Sequence, residues 1–560
     1  MPEYMIGIDL GTTNSVVAYW DEDRPQVYED LGMQQNDPLL PSAVAYDELG
    51  NWLVGQPALE QWEVNPEGTV VSVKRQMLHP DRVVKNLGGR DMTPVDISAE
   101  ILKVIKRKIE NIVRNETKIT AAVISVPYRY HGHEIEATIA AGKKAGLPVI
   151  GTIHEPTAAA LAYAKEHSAE LRINDKLFVF DLGGGTLDIT IFKVNQVSQE
   201  KTVFEVIGTG GERELGGDDF DKRVIDHIVK WYRSKCGIDI HEISTYPEYL
   251  ELKKNGQWIA GEDDKRLKRT QAQLLVEIRK LARKSKEKLA SAVSTPIMKV
   301  TGLGPPINFI LDRATFENEL AADLKARLRE SIRETLANGN LPPKDMTRII
   351  LVGGSSRLFF LAGYKDAKGK EVRGLIEEIF GKKPYLDREV HTAIARGAAY
   401  KVAIDQGATK GDIELIETLP FDIGLGLEDE NGKAPEEFLV LLKKGERYGA
   451  SRSGNFGFAT EGVDQFNLLI YEGKGPALPK QSAEYGYEVQ TMTPATHYRR
   501  GALVVNGFKR LAAKECGLTI TLATDARDKS LHIVVTEKST PGWAFRHKLE
   551  YGKTFQSTIA

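Results

Sequence analysis

The chain has 560 residues, 41% hydrophobic and 27% charged, which is too long for one compact core and suits two to four folding units. A formal net charge of -3 gives no electrostatic reason to expect nucleic acid as the main partner, and two distant cysteines, Cys236 and Cys516, argue against a disulfide framework or a zinc site. No basic-then-apolar leader opens the sequence and no apolar run approaches the ~20 residues that cross a bilayer, so a cytoplasmic protein without a membrane partner is expected.

Residues 5–20, MIGIDLGTTNSVVAYW, predict two short apolar strands joined by a Gly-Thr-Thr-Asn turn. ITAAVISVP predicts another strand, and a helix follows around Glu134 to Ala145. His131 and His133 stand just before it in YHGHEIE. With no Cys or third His nearby, they read as part of a solvated loop rather than as metal ligands. Residues 177–192, LFVFDLGGGTLDITIF, repeat the pattern of the first hairpin. The interval is too long for a solenoid, so two similar lobes built from one ancestral unit are expected.

From Leu267 to Ala292, the apolar residues Leu274, Ile278, Leu281 and Leu289 recur among many Lys and Arg, the pattern of a helix with a core-facing stripe under a solvated basic face. RIILVGGSS then predicts a strand, a double glycine and a helix start. Strands alternating with helices imply an α/β architecture. Helical periodicity ends around Ile404, DQGATKGD reads as a linker, and short strands with Gly, Asn and charged turns follow. The expected units are therefore 1–409, a linker over 410–419, and an all-β unit over 420–560.

Glycine lets successive backbone N–H groups turn toward one anion without a Cβ in the way. Gly11, Thr12, Thr13 and Asn14 would cradle one side of a triphosphate. Gly183, Gly184, Gly185 and Thr186 would take the other side. Asp9, Asp181 and Asp188 offer carboxylates for a hydrated magnesium ion, which takes few direct ligands. A third turn, with Gly353, Gly354 and Ser355 inside IILVGGSSR, brings backbone and a helix start toward the same ligand. Any one of these is an ordinary tight turn; the weight lies in the three together. The chain has no GxxxxGK[ST] and no GxGxxG after a strand, so neither a Walker site nor a dinucleotide fold is expected.

IGIDLGTTNSVVA, the Lys74-Arg75 pair in VVSVKRQML, AAVISVP, IHEPTAAALAYA, VFDLGGGTLDITI, LGGDDFD and ILVGGSSR occur in that order. In this the chain resembles the seventy-kilodalton heat-shock (DnaK-type) chaperone family, over residues 1 to about 405. The resemblance implies a two-lobed actin-like ATPase domain that binds ATP or ADP with Mg²⁺. It implies that Thr12, Thr13 and Asn14 contact phosphates and metal, and that Asp9 and Asp181 position the metal through water. Lys74 would orient the attacking water, with Glu155 and Thr186 completing the γ-phosphate environment. Lys286 matches the family's adenine pocket, and Arg357 would sandwich the base from the other side. Arg283, Glu287 and Ala290 replace the family's acid, arginine and serine, and His391 stands where an acid is common.

The family's linker is an apolar strand, here Asp412 to Glu417 with Glu414 as an intrusion. The β unit resembles the family's peptide-binding sandwich through LPFDIGLGLE, KKGERYGASRSGNFGFAT and DQFNLLIYEG. The closing KTFQSTIA and the β-patterned region before it carry no pattern for the family's helical lid. Implied partners are unfolded or extended polypeptide segments and a nucleotide-exchange factor. A J-domain partner is expected to dock poorly, because Gly151 replaces an arginine there. The alternatives are a small-molecule kinase of the same fold and a polymerising, actin-like ATPase.

Overall fold

The computed structural model describes residues 3–32, 34–111, 118–197, 201–366, 369–386, 390–409, 413–427, 436–457, 463, 465–479, 481–482, 486–493, 497–506, 508, 517–538, 540 and 542–549. Residues 410–412 of the expected linker and the closing KTFQSTIA lie outside these.

The repeated hairpin folds the same way twice. Strand Glu3–Asp9 pairs in parallel with Lys118–Val126 and antiparallel with Asn14–Asp21. Strand Lys176–Leu182 pairs in parallel with Arg348–Val352 and antiparallel with Leu187–Val197. Val149–His154 extends the first sheet beyond Lys118–Val126, and Thr202–Glu212 extends the second beyond Leu187–Val197. Central strands such as Lys176–Leu182 are buried almost end to end. Their near-continuous apolar sequence, rather than an alternating one, reflects cover on both faces.

Two helices of small residues, Glu155–Glu166 and Ala393–Asp405, pack together and against the first sheet. Glycine is required at two of these contacts. A Cβ on Gly397 would overlap the Ala158 backbone, and one on Gly7 would overlap Ala398 and Ala399. The close approach brings the carboxyl ends of Glu3–Asp9, Lys176–Leu182 and Arg348–Val352 toward one cleft, where open α/β sheets bind ligands.

Beyond the lobes lies a sandwich. Its first sheet runs, in spatial order, Val489–Thr491, Glu437–Leu442, Asp422–Leu427, Gln465–Gly473 and His497–Asn506. Its second runs Ser451–Phe456, Leu518–Thr524, Leu531–Glu537 and Ala544–Lys548. Strict alternation of buried and half-buried residues in Leu518–Thr524 and Leu531–Glu537 marks the faces turned inward. The all-β expectation misses one detail: residues 479, 481 and 482 are helical, with Ser482 N donating to Leu478 O at 2.9 Å.

The linker strand Ile413–Ile416 adds in parallel to the edge of Thr202–Glu212, and the sandwich is seated on the first lobe. Tyr128 Oη donates to Thr418 O at 2.7 Å. This seating overturns the solvated-loop reading of His131 and His133. His131 is buried, stacked on Phe421 with ring centroids 4.1 Å apart and 3.1 Å from the Glu472 carboxylate. His133 is half-buried, with Nε2 3.1 Å from Leu78 O. Nothing local in YHGHEIE announces a partner more than three hundred residues away.

Candidate functional site

A cleft of about 560 Å³ lies where the two hairpins face each other. Gly11, Thr12, Thr13 and Asn14 line one side, and Gly183, Gly184 and Thr186 line the other. The turns interlock: a Cβ on Gly184 would strike Thr13 Oγ1, and one on Gly185 would lie 2.6 Å from Thr12 Oγ1. Gly185 itself stands off the cleft wall, and its carbonyl accepts from Arg75 Nη2 at 2.7 Å. The third turn contributes Gly353, Gly354, Ser355 and Arg357. Gly353 has φ of 79°, a left-handed backbone that glycine adopts without cost, and a Cβ there would meet the Asp181 carboxylate.

The charged floor is built from strand and helix ends. Asp9 closes its strand, and Glu155 opens a helix whose N-terminus favours a negative charge. Lys74 sits in the short 3₁₀ turn Val73–Gln76 behind Ser72, which has φ of 54° and whose hydroxyl donates to Asp218 Oδ2 at 2.9 Å. Lys74 is ion-paired with Glu155, and both are nearly inaccessible. Its ammonium is held charged: burial alone would lower its pKa, but Glu155, Asp9 and Asp181 outweigh that and raise it.

The carboxylates respond the other way. Burial and the Glu155 charge push Asp9 up to about 7, and burial with Glu155, Asp188 and Asp9 holds Asp181 well above the carboxylate range. Asp181 Oδ2 is buried without a hydrogen-bond partner. Oxygen-only donors crowded beyond their own charge balance suit a hard cation. Among the described residues no three His, Cys, Asp or Glu gather tightly enough to cage a metal directly. Asp9 and Asp181 acting through water fit magnesium, which keeps most of its hydration shell. Asp188 is not on the cleft wall; it accepts from Tyr128 N at 3.1 Å and faces a smaller cavity beside the cleft.

Toward the outer end lie Arg283, Lys286, Glu287 and Ala290, all from helix Glu262–Leu289 or its C-cap. Lys286 is buried, 2.8 Å from Asp221 Oδ1 and donating to Gly217 O at 2.8 Å. Arg283 and Glu287 pair across one helical turn at 3.1 Å. His391 packs on Gly354, where a Cβ would approach within 2.7 Å of its ring, and burial followed by the Arg357 charge lowers its pKa. Asp218 and Asp221, which also line the cleft, have no role in the sequence reading. Their signal was visible in LGGDDFD, but nothing local tells which acid turns inward.

The profile of the family described as Hsp70 protein matches residues 5–81, 78–254 and 260–535. A "Chaperone protein DnaK" of Thermosipho africanus (strain TCF52B) is 34% identical over 482 residues, 85% of this chain and 71% of that protein. Proteins of the same name from Thermotoga petrophila and Thermotoga maritima are 33% identical over 483 residues, with the same coverage. With a profile match over most of its length and relatives at this identity, the chain belongs to the Hsp70 family.

Proposed function

We propose that the chain is an ATP-driven chaperone, in which slow hydrolysis in the cleft sets how the β unit holds unfolded polypeptide. The observation that carries this reading is the continuity of one sheet. Strand Leu187–Val197 leaves the glycine turn at 183–186 and pairs with Thr202–Glu212, and that strand carries the linker Ile413–Ile416 on its far edge. A shift of the phosphate-binding turn therefore reaches the linker through hydrogen-bonded strands. The working units in this reading are 1–409 for ATP, 410–419 as linker and 420–560 for polypeptide.

In the cleft, backbone N–H groups of the two turns hold the phosphates, and the Thr12, Thr13 and Thr186 hydroxyls supply further donors. Lys74, fixed by Glu155, holds and orients a water toward the γ-phosphorus; the water oxygen bonds to phosphorus as the bond to the ADP oxygen breaks. Such transfer needs positioning and charge neutralisation rather than a covalent nucleophile. Mg²⁺, when bound near Asp9 and Asp181, supplies neutralisation of charge on the phosphate oxygens. The base lies between Arg357 and the Arg283–Glu287 helix.

The sandwich is suited to an extended segment, gripped by main-chain hydrogen bonds and an apolar pocket. Coupling of this kind is reciprocal, so bound polypeptide alters ATP turnover. A nucleotide-exchange factor is the expected second partner. A J-domain protein is expected to stimulate little: Gly151 replaces the arginine, and its Cα lies under the Arg527 carbonyl of the sandwich, where a Cβ would stand 2.7 Å away.

The deciding measurement is the ATPase rate with and without an unfolded polypeptide. A several-fold change is expected. No response, together with phosphoryl transfer to a small molecule, would overturn this reading in favour of a kinase of the same fold.

A further inference from the structure

Behind Thr12, Lys74 and Thr186 a second cavity of about 110 Å³ adjoins the cleft, sharing those three residues with it. One water needs roughly 10–15 Å³ of such space, so the cavity holds a small polyatomic ion with room for water. Three guanidinium groups reach it, from Arg75, Arg129 and Arg213. Two are already engaged. Arg75 pairs with Asp219 and donates to Gly185 O. Arg213 donates to Glu134 Oε1 at 3.0 Å and to Arg129 O.

Arg129 is different. Its Nε is buried and unpaired, as Arg75 Nε is, but unlike Arg75 its side chain has no other hydrogen-bond or ion-pair partner among the described residues. Burial lowers its pKa; the Asp188 charge acts through space to restore it, and Arg213 opposes that. The other acids of the cavity are committed or remote. Glu134 belongs to Arg213, Glu212 to Arg327 and Ser331, and Glu214 is exposed. Arg129 as a whole is half-buried, but a buried guanidinium nitrogen without an acceptor is costly. Its planar fork matches the oxygens of a tetrahedral oxyanion.

We propose that this cavity is a holding site for orthophosphate, entered from the cleft past Thr12, Lys74 and Thr186 and gripped by Arg129. The proposal rests on the nucleotide reading above, since the occupant is the phosphate released when the γ-phosphorus bond to ADP breaks. Arg129 takes no part in that bond cleavage. It receives the product, so phosphate leaves the protein later than it leaves ADP.

The test titrates sodium phosphate into the ADP-loaded full chain by calorimetry, with Arg129→Gln and Arg129→Lys beside the wild type. Arg129→Gln should weaken phosphate binding about tenfold, with ADP affinity unchanged and the thermal midpoint without phosphate equal or higher, and Arg129→Lys should recover part of the loss in phosphate binding. In a single turnover, ADP formation by Arg129→Gln should match wild type while phosphate release, followed with a fluorescent phosphate sensor, comes several-fold sooner. Equal phosphate affinity in wild type and Arg129→Gln overturns the site. Failure of the wild type to bind ATP, with Arg129-dependent phosphate binding intact without nucleotide, overturns the nucleotide reading and with it the product role, but leaves an anion site.

Discussion

The cleft and the seam between lobe and sandwich bury the same kinds of side chain to opposite effect. In the cleft, Asp9, Asp181 and Glu155 crowd around a single cation, Lys74, and Asp9 and Asp181 resist ionisation. In the seam Glu417 and Glu472 are each met by a buried cation, Lys529 and Arg500. Glu417 accepts from His154 Nδ1 at 2.7 Å and Thr157 Oγ1 at 3.0 Å, and is ion-paired with buried Lys529. Burial alone would raise its pKa, but Lys529 and His154 hold it well below the carboxylate range. Glu472 takes Gly132 N at 2.5 Å and lies 3.5 Å from Arg500, which also reaches Glu136 at 3.1 Å. It is held down to about 2, with Arg500 and His131 outweighing its burial. Unbalanced buried charge invites a ligand, whereas balanced buried charge locks two surfaces in one arrangement.

The sharpest way to break this contrast is to unbalance the seam. Lys529→Met leaves Glu417 buried with only neutral partners, and removing one member of a buried pair costs about 3–5 kcal/mol. Hydrogen exchange of the amides of Ile413–Ile416 should accelerate on the order of 100-fold or more, and adding Glu417→Gln should restore much of the protection. Unchanged exchange in the single variant would mean that the pair does not hold the seam.

In the cleft, Lys74→Ala should abolish most turnover while leaving ATP binding nearly intact, because in the proposed mechanism Lys74 orients water rather than gripping the nucleotide. The expected loss is about 3 kcal/mol of transition-state stabilisation, roughly 100-fold in rate. Rapid-quench single turnovers check it, and equal rates would remove Lys74 from the chemistry.

Acidification should separate the two regions next. Burial lowers the pKa values of His131 and His154 in the seated arrangement. On separation they return toward ordinary values near 6.5 and bind protons, so seating present at pH 7.5 is lost as pH falls through and below 6.5. Glu136 opposes this. Burial raises it to about 7, so the seated form holds an extra proton that is lost as pH rises through that value. Two histidines against one carboxylate should leave a net opening at acid pH, read again from exchange at 413–416. His154→Asn should flatten the profile and Glu136→Gln should steepen it; the reverse order would contradict the assigned signs.

The smallest effect concerns the base. By the family resemblance Glu287 and Ala290 replace an arginine and a serine, so in the proposed site adenine would lack stacking and hydrogen-bonding partners that reject other bases. ATP should be preferred over GTP only weakly, and Glu287→Arg with Ala290→Ser should raise the preference several-fold. Calorimetry with both nucleotides decides it; strong ATP preference in the unmodified chain would sink the idea.

Most of the cleft was legible in the sequence because its parts are local. Gly11–Asn14, Gly183–Thr186 and Gly353–Ser355 declare tight turns within a few residues, and backbone N–H groups need only those turns to face an anion. The doubled Asp-Leu-Gly hairpin also announced two lobes. Gly185 lies off the cleft wall, and Asp188, paired opposite Asp181 in the hairpin, accepts from Tyr128 N and faces the neighbouring cavity; the turn sequence alone does not show either placement. The seam was hidden. His131 looked like a loop residue because its partners, Phe421 and Glu472, lie in another unit.

The sequence by itself determined which backbone segments form the glycine turns that line the cleft, where strands and helices alternate, and which residues carry charge. Only the tertiary structure decided which charges are paired. A carboxylate's pKa depends on burial and on the nearest cation, and both are supplied by distant chain: Lys529 for Glu417, Arg500 for Glu472, and for Asp181 no more than Lys74 shared among several acids.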